Sequence, residues 1–228
     1  MNNYNLHNLF SVPLMKFDYG EISNDENKIF DHYLNDLVPT CSYNRFLSKE
    51  NYILDNNDLP KLKKFIESAI NDYVENVLVG GELENDLSFN ITQSWLNLSK
   101  PDSGGHYKHT HSNSLISGVF YIKTDPNLDS ILFTNDYLFS NMINLQNRIK
   151  KFNNFNSNRW RVPVSTGNLF LFPSNLPHEV DAVGGKENRI SLSFNCFPFG
   201  VLGSKSDLTE LRILQDKQNG SRWIKWIP

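Results

Sequence analysis

The chain has 228 residues, 39% of them hydrophobic, which is enough for one domain with a sizeable core. Its formal net charge of −3 gives no general attraction to nucleic acid. Two cysteines, Cys41 and Cys196, are too few for a disulfide framework, and the sequence shows neither a signal peptide nor a membrane-spanning apolar run, so we expect a cytoplasmic protein.

The N-terminal part of the chain predicts one extended segment and two helices. Residues 9–17 have the pattern of a short extended segment. A capping cluster at Ser23–Glu26 precedes apolar residues at helical spacing, which predicts a first helix ending before Pro39. A second helix is predicted from Pro60 to the Gly80-Gly81 pair. We expect residues 1–86 to form a helical support for a sheet.

From Leu87 onwards the apolar pattern changes to a period of two, which is typical of strands. The stretch 134–161 is polar and Asn-rich and predicts an insertion, and residues 206–213 predict a modest amphipathic helix. The predicted fold class is mainly β with flanking helices, a double-stranded β-helix or jelly roll. We expect one domain, 1–228, with its β-helix core at 87–200 and a C-terminal tail at 201–228.

Three of the six histidines fall within six positions. His109 and His111 are two residues apart, so on a strand their side chains project to the same side. His178 follows a Gly-bounded apolar strand and a Pro-containing turn far downstream. Three imidazoles on one face of a metal ion leave other coordination positions open, as an oxygen-activating iron site requires. We predict His109, His111 and His178 as metal ligands, whereas His106 should point the other way.

The segment that begins at Arg189 alternates polar and apolar residues through Asn195. A polar strand face inside a jelly roll is costly unless a ligand satisfies it, and a guanidinium matches a carboxylate with two hydrogen bonds. We therefore predict that Arg189 binds a dicarboxylate. The alternative is a solvated outer face with Arg189 in a surface ion pair. Trp95, Asn97 and Tyr121 on neighbouring strands are weaker candidates for contacts with a bound acid.

Together these motifs resemble the Fe(II)/2-oxoglutarate-dependent oxygenases, in particular a family found in marine bacteria and phages. The resemblance implies Fe(II) at the three histidines, 2-oxoglutarate with its distal carboxylate on Arg189 and Ser191, and dioxygen as oxidant. Asn97, Tyr121 and Asn195 are the remaining candidates for cosubstrate contacts. The implied reaction hydroxylates an unknown substrate and releases succinate and CO2. The matching segments are Leu9–Leu14, Trp95–Asn97, His109–Tyr121, Phe172–His178 and Arg189–Asn195.

One position departs from the superfamily pattern. His111 stands where the related enzymes usually have Asp or Glu. A neutral imidazole there removes one negative charge from the metal's ligand set, which should alter metal affinity and potential. Asp102 and Glu179 are neighbouring carboxylates, but neither has the expected spacing.

Two other function classes stay open at this point. One is a cupin-type three-histidine dioxygenase that needs no 2-oxoglutarate, and the other is a non-catalytic metal-binding jelly-roll module. The substrate, a small molecule or a peptide or protein, carries no readable signature, and neither nucleic acid nor membrane is indicated as a partner. The aromatic N-terminal segment is a candidate homodimer surface. The Asn-rich composition fits an AT-rich genome, and we expect the cytoplasm of a bacterium or of a phage-infected host.

Overall fold

The computed structural model describes residues 5–83, 86–135, 146–216 and 223–226. Two long helices, α1 and α2, and thirteen strands, β1 to β13, make up the described regular structure. Shorter helical turns lie at Ile53–Asp55, Val74–Val79 and Gln146–Arg148. The bounds are α1 Asn24–Leu34, α2 Pro60–Tyr73, β1 Met15–Asp18, β2 Leu37–Pro39, β3 Arg45–Ser48, β4 Leu87–Ser99, β5 His106–His109, β6 Ile116–Lys123, β7 Ser130–Thr134, β8 Arg159–Pro163, β9 Asn168–Pro173, β10 His178–Val180, β11 Arg189–Leu202, β12 Leu211–Asp216 and β13 Trp223–Trp226.

Both predicted helices are present, with the expected start signals. Ser23 caps α1 in a capping box: its hydroxyl accepts from the backbone N–H of Glu26, and the Glu26 carboxylate accepts from the backbone N–H of Ser23. Pro60 begins α2, as expected for a residue without an amide hydrogen. The helix continues into a π-helical turn over Val74–Val79 and ends at Gly80, whose φ of 74° favours glycine.

Two antiparallel sheets form the body of the protein. Within the described residues, the major sheet has the order β1-β9-β6-β11-β4-β3-β2, and β12 pairs with β11 and with β13. The minor sheet has the order β5-β10-β7-β8. This arrangement confirms the predicted double-stranded β-helix with flanking helices.

The major sheet buries both of its faces. On one face, Phe120 and Phe194 join a core cluster with residues of α1 and α2. On the other face, Phe170 and Phe172 join a second cluster with Phe133 of the minor sheet. Successive residues of each central strand therefore point alternately towards the helices and towards the space between the two sheets. Polar side chains that face the minor sheet consequently lie in or near that space.

The predicted C-terminal helix at 206–213 is wrong. Leu208 has a φ of 57°, which breaks a helix, and Leu211–Asp216 forms β12 instead. Leu211 and Ile213 pair with Leu202 and Gly200, because the end of β11 offers unpaired backbone groups to a second strand.

The predicted insertion at 134–161 is described only in part, because residues 136–145 lie outside the described residues. Its last residues, from Arg159, belong to β8. The sequence also gave no signal for the short strands β2 and β3. Of the helices that the structure describes, none has both the length and the apolar character needed to cross a membrane.

Candidate functional site

The structure brings the three predicted metal ligands together. His178 begins β10 and pairs in antiparallel register with His109 at the end of β5. Two residues later, the backbone N–H of His111 donates to the carbonyl of Ser174 at 2.9 Å, which holds this segment against the turn before His178. One ring nitrogen from each histidine lies within 4.8 Å of the other two. His178, which follows His111 by 67 positions in the chain, thus forms one cluster of nitrogen donors with His109 and His111.

Hydrogen bonds orient the imidazoles. Nδ1 of His109 lies 2.9 Å from the carbonyl oxygen of Tyr107, and Nδ1 of His178 lies 2.9 Å from that of Leu176. A carbonyl oxygen only accepts, so Nδ1 carries the proton in each neutral ring and the lone pair of Nε2 is free for a metal. Such outer contacts are the usual means of fixing the ring of a metal-binding histidine.

His111 is held differently. Its imidazole forms a hydrogen bond with the side chain of Asn195, and the indole of Trp95 stacks on it with ring centroids 6.0 Å apart and planes inclined by 23°. The hydrogen bond from the edge and the stacked indole on the face limit the rotation of the imidazole. Asn195 and Trp95 therefore determine the direction in which His111 presents its nitrogen.

Burial keeps the imidazoles neutral. It is the main cause that lowers the pKa of His109 and His111, and it lowers the pKa of His178 to about 3. Only the neutral ring binds a metal, so these histidines are ready to bind one at neutral pH. The set of three neutral nitrogen donors fits a divalent transition metal such as Fe(II).

His106 does not point away from the cluster as expected. It stacks on His109 with ring centroids 4.0 Å apart and lines the same cavity. The cause is a β-bulge: His106 and His109 are three residues apart but face Val180 and His178, which are two apart. The extra residue on β5 turns His106 to the same side as His109.

No carboxylate joins the histidines among the described residues. Glu179 follows His178 on β10, so its side chain faces the other way, where it forms an ion pair of 2.5 Å with Arg159. Asp102 lies in the turn before β5, and its carboxylate is not part of the cluster. Neither acid supplies the charge that the superfamily pattern would place at His111.

The histidines open into a cavity of about 360 Å³ between the two sheets. Asn97, Tyr121 and Ser191 line it and lie side by side across β4, β11 and β6. Arg189 also lines it, one row further along. Asn195 is not part of this wall, because its amide contacts His111 and its Oδ1 accepts from the hydroxyl of Ser117 at 3.2 Å.

Arg189 is buried rather than in a surface ion pair, so the alternative of a solvated outer face is wrong. Its guanidinium, however, already has protein partners. Nη1 donates to Oδ1 of Asp129 at 3.0 Å, and Nη2 donates to the carbonyl of Asp181 at 2.8 Å. The sequence had pointed to Arg189 but not to Asp129, which lies 60 residues earlier in the chain.

A second arginine, Arg45, was missed by the sequence analysis. It lies on β3, is 6% exposed and lines the cavity beside Asn97, His106 and His109. The segment that carries it is short and flanked by turns, so the alternation of residues gave no sign of a strand or of an inward face.

Comparison with known proteins relates the central part of the chain to one family. Residues 93–195, somewhat less than half of the chain, match the model of a family described as "Putative 2OG-Fe(II) oxygenase". This region contains the three clustered histidines and Arg189. No curated protein sequence matches the chain.

Several solved structures are similar to this chain in fold. The epimerase SnoN in complex with Fe3+, alpha ketoglutarate and nogalamycin RO has a TM-score of 0.56 and 10% identity, over 92% of this chain and 87% of that one. HygX from Streptomyces hygroscopicus, with nickel, 2-oxoglutarate and hygromycin B bound, has a TM-score of 0.51 and 10% identity, over 81% and 82%. A prolyl-4-hydroxylase from Pseudomonas putida has a TM-score of 0.50 and 14% identity, over 81% and 93%.

By its fold and its three-histidine cavity, the chain is a double-stranded β-helix protein with a candidate metal centre between the sheets. Within this fold, residues 93–195 are similar to a family described as a putative 2OG-Fe(II) oxygenase.

Proposed function

We propose that this chain is an Fe(II)- and 2-oxoglutarate-dependent dioxygenase that hydroxylates an organic substrate and releases succinate and CO2. The observation that carries the proposal is the convergence of His109, His111 and His178, kept neutral by burial, in the wall of the cavity between the sheets. Bound Fe(II) supplies the redox chemistry that the protein side chains lack.

The residues of the wall have distinct tasks in this proposal. His109, His111 and His178 hold the metal. Arg189 and Ser191, with Asn97 and Tyr121, offer hydrogen bonds to the cosubstrate. Complete burial raises the pKa of the Tyr121 phenol, so its hydroxyl stays protonated and is able to donate. The apolar side chains of Val119, Ile131 and Phe172 line the same cavity and limit the access of water.

Asn195 takes a different part from the one that the sequence indicated. Its side chain reaches the His111 imidazole and the Ser117 hydroxyl, not the cavity. We propose that it orients a metal ligand instead of binding 2-oxoglutarate.

The two rival functions explain less of the cavity. A cupin-type dioxygenase would use the three histidines but would leave the buried guanidinium of Arg45 without an anion to bind, whereas Asp129 already compensates Arg189. A non-catalytic metal-binding module would need neither the arginines nor the row of Asn97, Ser191 and Tyr121. An acid cosubstrate gives all of these groups a partner.

We further propose a marine bacterial or phage source and a location in the cytoplasm of the cell or infected host. Residues 9–14 and the Asn-rich composition support the first of these, and the two free cysteines fit a reducing compartment. We propose a small molecule or a peptide or protein as substrate, without nucleic acid or membrane as a partner and with a homodimer as a candidate assembly.

An anaerobic titration tests the proposed function. Addition of Fe(II) and 2-oxoglutarate should produce a weak visible charge-transfer band, and admission of air should yield succinate in proportion to the iron, measured by mass spectrometry. His178→Ala should lose both signals, whereas His32→Ala, at an exposed position of α1, should keep them. Oxygen uptake without consumption of 2-oxoglutarate would support the cupin-type reaction instead. Metal binding without either activity would support the binding module.

A further inference from the structure

Arg45 is a buried cation without a counter-charge. Its side chain forms none of the ion pairs found among the described residues, and its one side-chain hydrogen bond is a long one, 3.4 Å from Nη2 to Oδ1 of Asn97. Burial, and then the positive charge of Arg189, lower its pKa to about 10. The guanidinium is therefore still charged at neutral pH, and its burial is costly unless an anion binds to it.

The sheet register places Arg45 and Arg189 in one row. Both residues pair with Ser99, Arg45 from β3 on one side of β4 and Arg189 from β11 on the other. Residues paired in this way project to the same face of a sheet, here the face that lines the cavity. The positive charge of Arg45 also lowers the pKa of His106 and His109, so its guanidinium lies near the histidine cluster.

The two arginines differ in what already binds them. Asp129 compensates the charge of Arg189 with a buried ion pair, and the carbonyl of Asp181 takes a second donor of Arg189. Nothing comparable among the described residues compensates Arg45. The described wall of the cavity therefore carries one net positive charge, and that charge is on Arg45.

We propose that Arg45 binds the distal carboxylate of the acid cosubstrate and supplies the charge that Asp129 cancels on Arg189. This inference rests on the proposed function of the site. A guanidinium forms two parallel, charge-assisted hydrogen bonds with a carboxylate, and such bonds are stronger in a buried site. Arg45 is then a specificity-determining residue for a dicarboxylic over a monocarboxylic 2-oxo acid, and Arg189 contributes hydrogen bonds without net charge.

The test compares two 2-oxo acids that differ at the distal end. 2-Oxoglutarate and 2-oxopentanoate have the same chain length, but only the former has a distal carboxylate. Dissociation constants are measured anaerobically on the Fe(II)-loaded protein by isothermal titration calorimetry. Arg45→Gln should raise the dissociation constant of 2-oxoglutarate by about 10- to 100-fold, the range for a charged hydrogen bond. It should change the dissociation constant of 2-oxopentanoate by less than about twofold. Arg212→Gln, an exposed arginine of β12, should change neither.

A second measurement separates ligand binding from a structural role. If Arg45 only held the fold, Arg45→Gln would lower the thermal midpoint of the ligand-free protein. We expect the midpoint to stay the same or rise, because the substitution removes an uncompensated buried charge. Arg45→Lys keeps the charge without the planar fork, so it should bind 2-oxoglutarate more weakly than the original chain and more tightly than Arg45→Gln.

Three results would overturn the inference while leaving the proposed function intact. These are unchanged 2-oxoglutarate affinity in Arg45→Gln, an equal loss for both acids, and equal affinity of the unsubstituted chain for both acids. Failure of the unsubstituted, Fe(II)-loaded protein to bind either acid would instead contradict the proposed function itself. The two failures are thus distinguished within one set of titrations.

Discussion

Nη1 of Arg189 lies 3.0 Å from Oδ1 of Asp129, and both side chains are almost completely buried. A buried ion pair of this kind gains little over well-packed apolar groups, but removal of one partner leaves an uncompensated charge. The second oxygen of Asp129 accepts from the backbone N–H of Asp125 at 2.8 Å. Asp129 thus joins the loop before β7 to the first residue of β11.

We expect Asp129→Asn to lower the free energy of unfolding of the metal-free protein by about 3 kcal/mol, because Arg189 then keeps a buried charge without a partner. Urea denaturation measures the change. Arg159→Gln breaks the half-exposed pair with Glu179 and should cost less than about 1 kcal/mol, since solvent screens such pairs. Equal effects of the two substitutions would contradict the structural importance of the Asp129–Arg189 pair.

Asn195→Ala should weaken metal binding by about 10- to 100-fold, the usual effect of removing a residue that orients a metal-binding histidine. The physical reason is the lost hydrogen bond to His111. A competition titration with a metallochromic chelator measures the change, and Asn27→Ala on the exposed side of α1 is the control. If metal affinity were retained and only 2-oxoglutarate affinity fell, Asn195 would bind cosubstrate, as the sequence analysis predicted.

Local patterns in the sequence were sufficient for much of the fold. The capping box at Ser23 and Glu26 and the Pro60 and Gly80 signals depend on a few neighbouring residues, and the structure has all of them. The period-two pattern from Leu87 likewise depends only on which face of a strand is buried. Local rules therefore predicted both long helices, the start of the strand-rich region and the cavity-facing side of Arg189 and Ser191 on β11.

The remaining features depend on the pairing of distant segments. The inward turn of His106 results from a bulge opposite His178 and Val180, and nothing in the residues around His106 encodes it. The pairing of Arg189 with Asp129 and the inward face of Arg45 depend on which strands become neighbours. Charge compensation in a cavity is a property of the assembled sheets, so the sequence indicated the metal ligands more fully than the groups around them.

His111→Asp should keep the fold and retain or strengthen the binding of Fe(II). The substitution restores a carboxylate at this position of the metal's ligand set, and its negative charge attracts a divalent cation more strongly than a neutral imidazole does. His111→Ala, which removes the ligand without replacing it, should weaken binding. Fe(II) titrations of the three proteins measure the order of affinities. If His111→Asp bound metal as poorly as His111→Ala, a third imidazole would be required at this position.

Acid should destabilise the metal-free protein below about pH 6.5. Burial lowers the folded-state pKa of His106 and His178 from 6.5 to about 3, so between these values the unfolded chain takes up protons that the folded chain does not. The contribution of these two histidines to the free energy of unfolding is therefore fully present above pH 6.5 and is lost progressively as the pH decreases towards 3. The greatest slope is about 1.4 kcal/mol per pH unit for each histidine, and it is smaller where solvent screens the charge.

Urea denaturation at pH 7, 6 and 5 in the presence of a chelator measures this dependence. His178→Gln should reduce the slope, because glutamine occupies the same site without titrating. Asn27→Ala, at an exposed position of α1, removes no titrating group, so it should leave the slope unchanged. A slope that is the same in the original chain and in His178→Gln would mean that His178 accepts a proton in the folded protein as readily as in the unfolded one. The neutral donor set that the metal requires would then not exist below pH 6.5.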